Sequence, residues 1–117
     1  MKWYTYIAAF FAGAFLANSI PHFVQGVSGN AFPSPFSTPP GIGLSSAPVN
    51  VTWGLFNMFV GVWLFRAGKV KEGNLIITAL FIVGFSAMSL NLGSHFTKKQ
   101  KEAMLYVNPG ARLKMRA

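Results

Sequence analysis

The chain has 117 residues, 52% of them hydrophobic, with ten Lys and Arg against two Asp and Glu and a mean hydropathy of +0.43. That is too apolar and too sparsely charged for an ordinary soluble domain of this size, and it fits a single membrane domain. The net charge of +8 flanks apolar runs, where anionic headgroups or topology control account for it, so nucleic acid is not an expected partner.

In chain order, the first element is an apolar run over residues 3–20, led by Lys2 and opened by Trp3, Tyr4 and Tyr6. No charged residue occurs from Trp3 through Phe65. Lys2 with Ala12-Gly13-Ala14 also fits a secretory signal, but the expectation is a retained membrane span. Further uncharged apolar runs cover 49–65, with Trp53 near its start and Trp63 and Phe65 at its end, and 75–93. Each run is about the length needed to cross the hydrocarbon core, and in lipid such segments must be helical. The predicted fold class is therefore an all-α membrane protein with three transmembrane helices.

Between the first two spans, residues 21–48 form a long uncharged Pro/Gly-rich loop carrying Pro21, Pro33, Pro35, Pro39, Pro40 and Pro48. Prolines at this density argue against a long helix. Phe23, Phe32, Phe36, Ile42 and Leu44 suit packing on the bundle, as a lid, a subunit contact or a plain connector. After the third span a basic tail, 97–117, reads either as a short helix up to Val107 before Asn108-Pro109-Gly110 or as a plain solvated tail. Met104 and Tyr106 there are candidates for headgroup contact.

Local charge differences favour a cytoplasmic N-terminus. Lys2 precedes the first span, and Arg66, Lys69 and Lys71 follow the second. The third span lies between that cluster and Lys98, Lys99 and Lys101, and gives no vote.

Catalytic constellations are missing. The chain has no Asp and no Cys, and Glu72 and Glu102 lie outside the spans, so no carboxylate dyad, catalytic triad, thiolate site or intramembrane proton carrier can be built. The expectation is a protein that is not an enzyme, with no cofactor and no metal. The Asn50-Val51-Thr52 sequon abuts the membrane and carries little. Neutral polar residues remain as the candidate binding set: Asn18, Ser19 and His22 close the first span, Asn50, Trp53 and Asn57 open the second, and Asn91 and His95 close the third. An even number of crossings separates the two histidines, so both should emerge at one membrane boundary and share a pocket beneath the loop.

Glycines recur at Gly54, Gly61 and Gly68, and small residues at Ala9, Gly13 and Ala17, as stripes where helices can approach closely, within the chain or between chains. The string Asn18-Ser19-Ile20-Pro21-His22-Phe23, continued by Phe32-Pro33-Ser34-Pro35-Phe36 and Asn50-Val51-Thr52-Trp53-Gly54, resembles small uncharacterised bacterial multi-pass membrane proteins. The likeness covers residues 18 to about 57, implies a bacterial inner membrane, and brings no activity or ligand with it. Small size, the glycine stripes, the charge-free loop and the missing catalytic groups make the expected role that of a structural or accessory subunit, partnered by membrane lipids and by other membrane chains or its own copies. The alternative is a site for a lipid, quinone, haem or other small ligand in a polar pocket at the outer boundary. A channel or transporter is disfavoured by the lack of inverted repeats.

Overall fold

A computed structural model describes residues 1–107 and Gly110, with side-chain surroundings described up to Lys101. Three α-helices make up the fold, α1 (Trp3–Val27), α2 (Ala47–Ala67) and α3 (Leu75–Val107), with a single 3-10 turn at Val70–Glu72 and no strand among the described residues. All three helices are long and apolar enough to cross a membrane.

α1 is the central helix. It packs extensively against both α2 and α3, which meet each other far less, as at the Phe65 and Phe81 rings, edge-on with centroids 5.4 Å apart. Apart from Ile77 and Val70, which cluster with Ala9, the interior is built of small and polar side chains, Ala12, Ala14, Ala17, Ser19, Asn50 and Asn57 among them, while Phe11, Leu55, Phe59, Trp63, Ile82 and Leu90 face outward. This inverts the arrangement of a water-soluble bundle and is what a lipid surround selects.

Glycine sets the helix spacing. A Cβ at Gly54 would lie 2.8 Å from the Phe23 nitrogen, one at Gly61 2.7 Å from the Leu16 side chain, and one at Gly68 2.6 Å from the Ala9 nitrogen. The α2 stripe is thus occupied by α1 of the same chain. On the other side of α1, Gly13 meets the backbone at Phe81 and Phe85, and Gly84 meets the Phe10 carbonyl.

Two boundaries differ from expectation. α1 runs through Pro21 to Val27, so residues 21–27 are helix rather than loop. One proline removes one helical N–H, a loss that neighbouring helices and side chains absorb in a packed membrane bundle. The helix stops where Gly29, at φ 79°, can adopt the left-handed conformation. Gly29 N–H then bonds Gly26 O at 3.0 Å and Asn30 N–H bonds Gln25 O at 2.9 Å, a Schellman arrangement. Likewise no separate tail helix forms, because α3 continues unbroken to Val107, through a Lys-, Gln- and Glu-containing stretch of good helix formers. Asn108, Pro109 and residues 111–117 lie outside the described residues, as do the Met104 and Tyr106 side chains.

α2 and α3 begin at well-formed caps. The Ser46 hydroxyl accepts from Val49 N–H, with Pro48 in the first turn. The Asn74 side chain accepts from Ile76 and Ile77 N–H at 2.9 and 3.3 Å.

Candidate functional site

The end of α1, the start of α2, the later part of α3 and the connecting segment 28–46 meet at one end of the bundle. Asn50 organises this junction. Fully buried, it shares its amide hydrogens among the carbonyl oxygens of Phe32 (2.8 Å), Ser46 (3.1 Å) and Ser45 (3.2 Å). Phe32 and Ser45 are themselves paired as an antiparallel bridge. Asn50 therefore pins both ends of the connecting segment to the first turn of α2.

This arrangement fixes the amide orientation, since only Nδ2 can donate to three carbonyls. Oδ1 then faces His22 Nδ1 at 2.9 Å. An amide oxygen carries no hydrogen, so His22 must donate from Nδ1. Nε2 is left without a partner among the described residues, and in the neutral ring it is an acceptor. The His22 ring stands edge-on to Phe32 and Trp53, with centroids at 5.5 and 6.4 Å.

One turn deeper, Asn18 Nδ2 donates to Asn57 Oδ1 at 3.0 Å, and Asn57 Nδ2 donates to the Trp53 carbonyl at 2.8 Å. Asn18 Oδ1 remains free to accept. From the opposite side, His95 Nε2 donates to Gly41 O at 3.0 Å, and the Lys99 ammonium bonds the Ile42 carbonyl. These two contacts strap the turn at 39–43 to α3. Inside the segment, buried serines satisfy the backbone: Ser37 Oγ donates to Ser34 O at 2.6 Å, and the Ser34 and Ser45 hydroxyls are 2.6 Å apart.

A cavity of about 410 Å³ lies within this framework, with Asn18, His22, Trp53, Asn91 and His95 in its walls. Pro33, Ser34, Pro35, Pro40, Gly41, Leu92 and Phe96 complete the lining. Five of the eight residues named from sequence are thus brought together. The other three are not: Ser19 is buried and bonds Leu16 O at 2.6 Å, while Asn50 and Asn57 are sealed behind the wall as its supports. Trp53 Nε1 is buried with no hydrogen-bond partner among the described residues.

Sequence reasoning missed the serine network, the Gly41 carbonyl and Phe96. Of these, only the serines carried any signal, as hydroxyls in a charge-free segment. Among the described residues no group of three or more His, Cys, Asp or Glu side chains could hold a metal ion. Comparison with known proteins finds no matching family model, no matching curated protein and no matching solved structure.

Proposed function

We propose that this chain is an integral membrane protein that binds a small molecule in the polar cavity where its three helices meet the connecting segment. We place it in a bacterial inner membrane with a cytoplasmic N-terminus, which puts the cavity at the outer boundary under a roof made by residues 28–46. One observation carries the reading: Asn18 and His22 of α1, Trp53 of α2 and Asn91 and His95 of α3 line a single cavity, and the hydrogen bonds that hold its walls leave Asn18 Oδ1 and His22 Nε2 unused. Polar groups in a pocket that the protein's own hydrogen bonds do not use are available to an outside ligand.

The glycine stripes, which would suit a partner chain, are filled by α1. The exposed apolar face of α3 suits acyl chains as well as another protein. Neither favours an accessory-subunit role over ligand binding.

Native mass spectrometry on gently extracted protein tests the reading. The wild-type chain should carry a small-molecule adduct. Asn91→Phe, which fills the cavity from an exposed wall position, should lose it without a change in melting temperature. A bare wild-type mass, or an adduct kept by Asn91→Phe, would count against the pocket.

A further inference from the structure

We infer that α3 carries a site for one phospholipid of net negative charge, with its phosphate between Lys98 and Lys101 and an acyl chain in the hollow that Gly93 leaves below them. Leu90, Ser94, Thr97 and Lys101 follow one another at helical spacing, which puts them on one face, with Lys98 one turn past Ser94 on its flank. A groove of about 540 Å³ runs along that face, lined by Ser89, Leu90 and Gly93 in its earlier turns and by Ser94, Thr97, Lys98 and Lys101 in its later ones. It shares no lining residue with the polar cavity. Lys98 alone also borders the small space beside Gly41 and His95.

Depth divides the groove into two halves. A helix rises about 1.5 Å per residue, so a hydrocarbon core about 30 Å thick entered at Leu75 is left close to His95. Lys98 and Lys101 stand one to two turns past that point, at headgroup depth, while Leu90 and Gly93 remain among acyl chains. The deeper half is apolar in effect. The Ser89 hydroxyl is spent on Phe85 O at 2.7 Å, and Leu90 is 73% exposed. An added Cβ at Gly93 would meet nothing within 4 Å, so the missing side chain leaves room that a lipid tail can fill.

Charge selects the occupant. Residues 98–102 hold three lysines against Glu102, and no acidic side chain lines the groove among the described residues. Lys99 bonds the Ile42 carbonyl, which leaves Lys98 and Lys101 for an anion. An ammonium binds phosphate as a point charge, and the Ser94 and Thr97 hydroxyls stand beside it as further donors. A zwitterionic lipid would bring its own cation to a positive groove, and a free phosphate would leave the apolar half empty. A phospholipid of net negative charge suits both halves, in the manner of basic clusters at a membrane boundary.

Delipidated protein in neutral detergent, titrated with dioleoylphosphatidylglycerol or dioleoylphosphatidylcholine and read by native mass spectrometry, tests the site. The first phosphatidylglycerol should bind about thirtyfold more tightly than the first phosphatidylcholine, the worth of two lysines at a lipid surface. Lys98→Gln with Lys101→Gln should abolish that preference, and Lys98→Arg with Lys101→Arg should keep it. Lys69→Gln with Lys71→Gln, which removes the same charge after α2 at the other end of the bundle, should leave it unchanged. Gly93→Leu should weaken phosphatidylglycerol about tenfold, the worth of about two buried methylenes, with no fall in melting temperature. Equal affinity for the two lipids, or a preference that survives Lys98→Gln with Lys101→Gln, would overturn the site. So would a preference lost equally in Lys69→Gln with Lys71→Gln, since overall charge would then explain it. Unchanged binding in Gly93→Leu would take the chain out of the groove and overturn the inference. A dimer that Gly93→Leu breaks, with no lipid preference, would overturn it by giving the groove to a second copy.

Discussion

Asn50 donates to three carbonyl oxygens and accepts from His22, so its replacement affects more than its own position. Asn50→Leu keeps the volume but leaves the carbonyls of Phe32, Ser45 and Ser46 with one partner fewer and His22 Nδ1 unpaired. At about 0.5–1.5 kcal/mol for each of the four lost bonds, the cost should be about 2–6 kcal/mol. Limited proteolysis should show cleavage within 28–46 well before the helices melt, because each helix keeps its own backbone bonds. Asn57→Leu breaks one interhelical bond, the pairing with Asn18, beside a local bond to the Trp53 carbonyl of its own helix, and the interhelical loss should cost about 0.6–1.7 kcal/mol, the range of single interhelical hydrogen bonds in membranes. Thermal unfolding in detergent measures both, and a larger loss at Asn57 than at Asn50 would contradict the clamp. Asn50 stood out in the sequence as a polar residue at the head of an apolar run. Its role as a clamp was not legible there, because its partners are backbone carbonyls, which every sequence possesses.

At the level of elements, the helices are spaced by glycines that sequence spacing revealed unevenly. The Gly54, Gly61, Gly68 repeat is visible as a period of seven. Gly84 has no such repeat in α3, yet it sits against the Phe10 carbonyl at the α1–α3 crossing. Only the crossing point shows that it matters. Gly84→Ala should therefore separate α1 from α3 and lower the melting temperature. Gly93→Ala, with nothing within 4 Å of an added Cβ, should be neutral or stabilise by up to about 1 kcal/mol through helix propensity. Gly61→Leu should likewise destabilise the monomer by forcing α2 off Leu16, and it should do so at any protein concentration, since the contact lies within one chain. Equal melting temperatures for Gly84→Ala and Gly93→Ala would refute the crossing. Local pattern and packing part company at Pro21 as well. Proline density predicts breakage, but a helix clamped on both sides tolerates one missing N–H and ends only where Gly29 supplies a left-handed residue.

For the whole molecule, the remaining question is which end lies on which side. The three spans are legible because an uncharged apolar run long enough to cross a bilayer is rare outside membrane proteins. The tail was ambiguous because the third span has basic residues at both ends. Contacts of His95 with Gly41 and of Lys99 with Ile42 put the far end of α3 beside segment 28–46, while Lys71 lies at the opposite end of α2. Lys99 is thus engaged in a local bond, which weakens its weight as a topology signal and leaves Lys2, Arg66, Lys69 and Lys71 to orient the chain. Single cysteines at the exposed positions Thr38, Lys71 and Gln100, in a chain with no cysteine of its own, read this directly. Thr38→Cys and Gln100→Cys should react with an impermeant maleimide from the outside of intact cells, and Lys71→Cys only after permeabilisation. Reaction of Lys71→Cys alone would reverse the orientation while keeping the three crossings, since the pairing of Thr38 with Gln100 does not depend on which side is outside. Labelling of Thr38 and Gln100 from different sides would mean that α3 does not cross as α1 and α2 do, and the cavity they share could not exist in the membrane.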